Sequence, residues 1–134
     1  MVLMVQKEVA ERICAKAGDM SVLAVSVQLY AEPEIIMSVP RSFFWPQPKV
    51  DSAIIKLRVK QFNSDSEQFF KIVKAGFANK RKMLIKNLES VVGKQHKEKL
   101  KIVFHELGIN EKVRAQELSV EQWRQLVAKL SFPT

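Results

Sequence analysis

The chain is a basic polypeptide of 134 residues, a length that makes one domain, or a small domain joined to part of another. Its hydrophobic content of 47% and charged content of 27% are typical of a globular protein and exclude a disordered tail. No apolar run reaches the roughly 18 residues that a membrane span needs. The net charge of +8 favours a polyanionic partner such as nucleic acid, the alternative being a basic protein without one.

The first residues form a short apolar run, Val2–Gln6, which predicts a buried strand. They lack the basic leader and cleavage site of a signal peptide. In the next segment, up to Gly18, the apolar residues fall on one face of a helix: Val9, Ala10, Ile13, Cys14 and Ala17. We expect Gly18 to end that helix, because glycine enters the left-handed conformation cheaply. The single cysteine, Cys14, excludes an internal disulfide and favours a reducing, cytoplasmic location.

Three further segments complete the first part of the chain. Residues 21–30 are rich in valine, which suits a strand, but their length allows a helix, and we favour the helix. Glu34–Val39 predicts a strand that Pro40 stops. Between Ala53 and Lys60, apolar residues alternate with mostly basic ones, which predicts a strand with one buried and one basic face.

The pattern becomes helical from Ser64 onwards. Ser64–Glu67 has the spacing of a capping box, after which Phe69, Val73 and Phe77 recur every fourth residue. Further helices are predicted at residues 80–91, 94–107 and 119–130. The last of them opens with a second capping box, Ser119–Gln122.

These elements predict an α+β fragment with two parts. Residues 1–60 form a βααββ piece, the residual three-stranded edge of a larger sheet, and residues 64–134 form a small all-helical domain. Three strands are few for a sheet covered by helices, so the chain is expected to begin in the middle of a domain. An unpaired sheet edge is an association hazard. We therefore expect self-association through that edge, strand exchange, or loss of order near Met1.

An aromatic and proline-rich segment precedes the last strand. Three aromatics, Phe43, Phe44 and Trp45, are followed by Pro46-Gln47-Pro48 and by Lys49. The prolines predict a stiff, extended backbone, because proline restricts its own φ and the residue before it. Such a segment can present a flat side chain for stacking on an extruded base. From composition alone, packing over the sheet end is the more common role.

The order of these residues resembles the rRNA adenine dimethyltransferase family, the dimethyladenosine transferases. The resemblance spans essentially the whole chain and rests on four ordered motifs, which are Met4-Val5-Gln6-Lys7-Glu8-Val9-Ala10-x-Arg12, Phe44-x-Pro46-x-Pro48-Lys49-Val50-Asp51-Ser52-Ala53, Phe77-x-x-x-Arg81-Lys82-x-x-x-x-Asn87-Leu88 and Arg114-Ala115-x-x-Leu118-Ser119. The antibiotic-resistance rRNA methyltransferases share the Pro-x-Pro-Lys-Val loop, but the second and fourth motifs fit the dimethyladenosine group better.

The resemblance implies a Rossmann-type, S-adenosylmethionine-dependent enzyme that dimethylates adenines of small-subunit (16S) rRNA in the pre-30S particle. It implies that Phe44 forms one wall around the target adenine, that Pro46 and Pro48 support it, and that Lys49 approaches the RNA backbone. Methyl transfer to the adenine amine is direct in such enzymes. No side chain of this chain is therefore expected to act as a general base.

The cofactor half of that enzyme has no counterpart in this sequence. A glycine-rich turn lets the backbone approach a nucleotide cofactor closely, but the four glycines of this chain include no two within ten residues. The family's Asn-Leu-Pro-Tyr type of motif is absent as well, since the only tyrosine, Tyr30, follows Leu29. We therefore expect the chain alone to bind no cofactor and to be inactive.

A dense basic stretch runs from Lys71 to Lys101, with ten cations and two anions. On a helix, Arg81, Lys82 and Lys86 share one side, and with Lys80 they are the predicted RNA-binding cations. The alternative is a solvated helix face. His96 and His105 lack metal-site spacing and are interpreted as a surface and a semi-buried histidine, with no metal expected. Cys14 and Trp123 are interpreted as packed residues.

Two other functions stay open at this stage. One is a stand-alone basic RNA-binding module, and the other is a 23S rRNA adenine methyltransferase of the antibiotic-resistance type. A glycine-rich strand–turn–helix encoded upstream of Met1 would separate the enzyme from the stand-alone module.

Overall fold

The computed structural model describes residues 1–60 and 66–130. Within these ranges the chain forms three strands, six α-helices and three short 3₁₀ helices. The strands are β1 (Val2–Gln6), β2 (Ala31–Val39) and β3 (Ser52–Val59), and the 3₁₀ helices are Arg41–Phe43, Lys94–His96 and Ala115–Glu117. The α-helices are α1 (Lys7–Ile13), α2 (Val22–Tyr30), α3 (Ser66–Gly76), α4 (Leu84–Val92), α5 (Lys97–Glu106) and α6 (Val120–Leu130). None of the described helices is both long and apolar enough to cross a membrane.

The sheet is antiparallel, with the order β1-β3-β2, so the last strand in sequence is the central one. Ile55 of β3 lies opposite Leu3 of β1 and Ile35 of β2, and β2 has an irregularity between Ile35 and Met37. Helix α1 covers one face, where Ala10, Ile13, Ala53 and Ile55 form a small core. The predicted βααββ order is confirmed, and β1 lies at an edge of the sheet.

A larger core joins α2 to the helices that follow the sheet. Val25 and Leu29 of α2 are buried in the same cluster as Phe69, Leu88 and Trp123. The Arg124 guanidinium donates a 2.8 Å hydrogen bond to the Leu29 carbonyl. The predicted domain boundary at residues 61–63 lies outside the described residues and stays a prediction. Packing nevertheless ties α2 to the helical part.

The first helix is shorter than predicted. It ends at Ile13 and not at Gly18, whose φ of +109° belongs to the turn before α2. The Gln28 side-chain amide donates to the carbonyls of Ile13 and Ala15, so a distant side chain replaces the bonds that a longer helix would make. The helix predicted for residues 21–30 is confirmed, with the Ser21 hydroxyl accepting from the Ala24 amide.

The second capping box is confirmed at the start of α6. The Ser119 amide donates to Gln122 Oε1 at 2.9 Å, and the Gln122 amide donates to Ser119 Oγ at 3.2 Å. Trp123 is fully buried and stacks on Phe77, with ring centroids 5.5 Å apart, so its predicted packing role is also confirmed. The first predicted capping box, Ser64–Glu67, extends into residues outside the described ranges.

The alternation predicted for β3 is right over half of the strand. Ala53 and Ile55 are buried against α1, and Leu57 is half-buried. Val59, predicted to be on the buried face, is 72% exposed, because it lies at the end of the strand beyond the reach of α1. The opposite face carries Lys56 and Arg58, both exposed.

Candidate nucleic-acid interface

The segment from Pro40 to Asp51, here called the aromatic–proline loop, connects β2 to β3. It opens with the 3₁₀ helix Arg41–Phe43, after which Phe44 has an extended backbone, with φ −112° and ψ 149°. The Trp45–Pro46 peptide bond is cis, and the chain bends at residues 44–46 and again at 49–50. The extended backbone predicted for Pro46-Gln47-Pro48 is therefore wrong at Pro46, where the chain bends, whereas Gln47 and Pro48 lie outside the bends. Together the 3₁₀ helix and the two bends connect the antiparallel strands β2 and β3.

Hydrogen bonds between its two ends close the loop. The Arg41 amide donates to Asp51 Oδ1 at 2.8 Å, and Arg41 Nη1 donates to the Lys49 carbonyl at 3.2 Å. The Lys7 amide donates to the Asp51 carbonyl at 3.0 Å, which joins the loop to the start of α1. We call the contacts of Arg41 with Asp51 and Lys49 the loop clasp. Sequence reasoning missed Arg41 and gave Asp51 no role, because one bond comes from the Arg41 backbone amide and the other goes to a backbone carbonyl.

The three aromatics of the loop differ in exposure. Phe44, the residue predicted to stack on the target base, is half-buried. Phe43 is 73% exposed and Trp45 is 96% exposed. Trp45, to which the sequence analysis gave no separate role, is therefore the aromatic that the loop presents most fully to solvent.

An open cleft of about 440 Å³ lies beside the loop clasp. Its lining is wholly polar except for Val50, and it carries charges of both signs: Gln6, Lys7, Glu8, Glu11, Arg41, Lys49, Val50 and Asp51. The cleft thus contains one predicted RNA-binding residue, Lys49. Helix α1 supplies its acidic side, where Glu8 also forms a 2.8 Å ion pair with Arg12.

The cations Lys80, Arg81 and Lys82 lie in the turn between α3 and α4, here called the basic turn. The prediction that Arg81, Lys82 and Lys86 share a helix face is wrong, because α4 begins at Leu84. Asn79 caps the turn locally, its Oδ1 accepting from the Arg81 amide at 3.0 Å. The buried Asn87 side chain donates to the carbonyls of Gly76 and Asn79, at 2.9 Å and 3.0 Å. In a helix that continued from α3, these two carbonyls would accept hydrogen bonds from the backbone amides that follow them. Here they accept bonds from the Asn87 side chain.

All three side chains of the basic turn are exposed, and none forms an ion pair within the described part of the chain. Lys86 differs, since it lies on α4 and its Nζ is 3.9 Å from Glu89 Oε1. The structure therefore brings Lys80, Arg81 and Lys82 together and leaves Lys86 partly neutralised one turn further on. Three adjacent unpaired cations concentrate positive potential at this turn.

A second cleft, of about 420 Å³, lies next to the basic turn. Lys80 and Phe77 line it from the helical side, and Arg12 and Asp19 line it from the segment around α1. Lys49 and Lys80 belong to different clefts, and α1 contributes residues to both. The predicted RNA-binding residues thus form two groups, one at the first cleft and one at or next to the second.

The histidines were assigned the wrong way round. His96 is half-buried, with its Nε2 3.4 Å from the Gln95 amide nitrogen, whereas His105 is exposed on α5. Among the described residues, no three His, Cys, Asp or Glu side chains are grouped as metal ligands. Cys14 is half-buried, and its burial raises the pKa of the thiol, which disfavours the nucleophilic thiolate.

The described residues do not fit S-adenosylmethionine. Strand β1 passes directly into α1 at Gln6–Lys7, with no glycine between them. The glycines with positive φ are Gly18, Gly93 and Gly108, and each stands alone in a turn beside a helix. No described segment therefore offers the close backbone approach that a nucleotide cofactor requires after a strand.

The architecture is that of known RNA methyltransferases. A dimethyladenosine transferase from Plasmodium falciparum matches with a TM-score of 0.79 and 30% identity, over 93% of this chain and 55% of that one. The 23S rRNA methyltransferase ErmE matches with a TM-score of 0.71 over 96% of this chain and 53% of that one. At 24% identity, that likeness concerns the fold alone. The α+β edge of a methyltransferase sheet followed by helices is thereby confirmed.

Sequence comparison gives the family. The family model described as ribosomal RNA adenine dimethylase matches residues 1–131. The chain is 43% identical to the ribosomal RNA small subunit methyltransferase A of Geobacillus kaustophilus and 45% identical to that of a Nostoc species. These matches cover 94% and 93% of this chain, and 46% and 47% of the relatives. The chain belongs to the ribosomal RNA adenine dimethylase family, and it spans about half the length of these curated relatives.

Proposed function

We propose that the whole protein is an S-adenosylmethionine-dependent dimethyltransferase that acts on adenines of small-subunit rRNA in a pre-30S particle. The observation that carries the proposal is the family match over residues 1–131, with all four sequence motifs in order. Small-subunit rRNA is preferred to 23S rRNA because the relatives named for the small subunit are 41–45% identical to this chain, against 24% for ErmE. The single free cysteine supports the cytosol as the compartment.

Within that enzyme we assign to Phe44 the role of one wall around the target adenine. Its half-buried ring and extended backbone, together with the loop clasp, support this role, because a stacking surface must be held in place before the base arrives. Pro46 and Pro48 restrict the backbone behind it. Lys49, exposed beside the first cleft, is suited to a backbone phosphate.

We assign to the basic turn the role of principal phosphate-binding element. Lys80, Arg81 and Lys82 are adjacent, exposed and free of ion pairs in the described chain, so no internal partner must be displaced when RNA binds. Structured RNA is recognised largely through its backbone and shape, which suits a cluster of cations. Lys86 is a weaker contributor, because Glu89 offsets its charge.

RNA binding by the isolated chain tests this proposal. Affinity for a small-subunit rRNA fragment is expected to fall steeply with salt, because each phosphate contact lowers the log–log slope by about 0.7 to 0.9. The double variant Arg81→Ala/Lys82→Ala should lose roughly tenfold in affinity, and its salt slope should be shallower by about 1 to 2.

The matched control removes the same charge elsewhere. Lys71 and Lys74 of α3 are exposed and form no ion pair in the described chain, so Lys71→Ala/Lys74→Ala changes the net charge equally. That control should change affinity less than about threefold. An equal loss of affinity in both variants would show that only the net charge matters. It would contradict the phosphate-binding role proposed for the basic turn.

We further propose that the isolated chain self-associates through β1. This edge strand has an open backbone row, and its apolar side chains are accessible, with Val2 64%, Leu3 40% and Met4 55% exposed. Light scattering should detect concentration-dependent dimers, and Leu3→Lys should abolish them by placing a charge on the edge. A monomer at all concentrations, with β1 amides protected from hydrogen exchange, would contradict the proposal.

A further inference from the structure

Trp45 is exposed to an extent that is unusual for its residue type. Its side chain is 96% exposed, while the other tryptophan, Trp123, is fully buried. An indole is large and mostly apolar, so tryptophan is highly buried on average, and exposed tryptophans are typical of binding surfaces. The exposure of Trp45 does not come from an unrestrained segment, because the loop clasp ties the two ends of its loop together.

The charges around Trp45 indicate the kind of molecule that would cover it. Exposed cations, Arg41 and Lys49, flank the aromatics within the same loop. The loop's one carboxylate, Asp51, already accepts a hydrogen bond from the Arg41 amide. Exposed aromatic faces next to cations are the arrangement by which proteins bind single-stranded nucleic acid, with bases stacked on rings and phosphates held by the cations.

We propose that Trp45 is a second stacking residue, which holds an unpaired RNA base next to the adenine that Phe44 contacts. The inference rests on the proposed RNA-binding function and adds a contact to it. Consecutive Cα atoms are roughly 3.8 Å apart, so neighbouring side chains are close enough to serve neighbouring nucleotides. Phe44 is half-buried, as the wall of a pocket should be, whereas Trp45 is open, as a platform outside that pocket should be.

The fluorescence of Trp45 provides a direct test. The chain is titrated with a single-stranded oligoadenylate, and the emission of the two tryptophans is separated by wavelength, since the exposed Trp45 emits further to the red than the buried Trp123. Stacking of adenine on Trp45 should quench the red component and leave the Trp123 component unchanged. Binding that leaves both components unchanged would overturn the inference.

Affinity measurements on variants provide the second test. Trp45→Ala should weaken oligoadenylate binding roughly 5- to 150-fold, since base–aromatic stacking contributes about 1–3 kcal/mol per base. Trp45→Phe keeps an aromatic face and should stay within about threefold of the parent chain. Ile102, 57% exposed on α5, supplies the control, and Ile102→Ala should bind as the parent does. Because Trp45 is exposed, its variants should keep the circular dichroism spectrum of the parent.

The outcomes separate this inference from the function on which it rests. Arg81→Ala/Lys82→Ala should weaken binding yet retain full quenching of Trp45 at saturation. If RNA binds in a salt-dependent way and Trp45→Ala has no effect, the inference fails and the proposed function stands. If no RNA binds at all, the proposed function fails and this inference fails with it.

Discussion

At the residue scale, Asn87 determines the shape of the basic turn. It is the buried polar residue of the described core, 6% exposed, and its amide nitrogen donates to the carbonyls of Gly76 and Asn79. One side chain thus joins the end of α3 to the turn that carries the cations. A buried carbonyl without a hydrogen-bond partner destabilises the folded state, so Asn87 is expected to contribute to the stability of the chain.

Replacing Asn87 by alanine is expected to destabilise the chain by about 2 kcal/mol, because two hydrogen bonds are lost and a buried carbonyl is left without its partner. Urea denaturation measures the change. The control is Asn110→Ala, since Asn110 is exposed and its Oδ1 accepts only the Lys112 amide, a loss of about 1 kcal/mol or less. Equal losses at the two positions would contradict the role given to Asn87.

At the element scale, the aromatic–proline loop combines a rigid frame with exposed aromatics. The frame consists of the Arg41–Asp51 bond, the bond from Arg41 to the Lys49 carbonyl, and the bond from the Lys7 amide to the Asp51 carbonyl. A fixed loop loses less conformational entropy when a base stacks on it, and preorganisation of this kind raises affinity. We therefore expect the frame to contribute to the proposed RNA binding by holding the loop in one conformation.

The loop clasp is tested by a pair of substitutions at Asp51. Asp51→Ala removes the acceptor for the Arg41 amide, so the fluorescence anisotropy of Trp45 should fall as the loop becomes more mobile. Asp51→Asn keeps an oxygen at the same place and should retain the parent anisotropy. If the asparagine variant behaved like the alanine variant, the charge and not the hydrogen bond would be what holds the loop.

At the scale of the whole molecule, packing connects the two groups of residues proposed to bind RNA. The main core buries α2 together with the later helices, and α1 lines both clefts. A single RNA that reaches the aromatic–proline loop and the basic turn therefore meets surfaces whose separation is set by packing. An RNA that contacted both surfaces at this fixed separation would be recognised mainly by its shape and less by its base sequence.

The fold as a whole also leads to a prediction about cofactor binding. We expect isothermal calorimetry to detect no binding of S-adenosylmethionine to this chain, because the described residues provide no glycine-rich turn after a strand. The circular dichroism spectrum of the same preparation serves as the control for folding. Stoichiometric binding of S-adenosylmethionine would show that the motifs had been placed on the wrong part of the enzyme.

Local features of this protein could be predicted from its sequence with good success. The presence of a strand at Val2–Gln6, the capping box at Ser119 and the packed face around Trp123 are confirmed. The predicted burial of that strand is wrong, because β1 is an edge strand whose Val2, Leu3 and Met4 side chains are exposed. Each confirmed feature depends on residues within a few positions of one another, through hydrophobic period or capping geometry. The ordered motifs predicted the family for the same reason, because they record local sequence and require no knowledge of contacts.

The tertiary structure alone decided the remaining features. The strand order β1-β3-β2 and the early end of α1 at the Gln28 side chain follow from contacts between segments that are far apart in sequence. The conformation of the basic turn combines a local bond from Asn79 with the Asn87 side chain, which bonds carbonyls 8 and 11 residues before it. A helical period in the sequence cannot reveal that Asn87 captures the carbonyls before it. The sequence by itself determined which residues are candidates for contact with RNA. Tertiary hydrogen bonds and packing decided which of these candidates lie together, because those interactions connect segments that are separated along the chain.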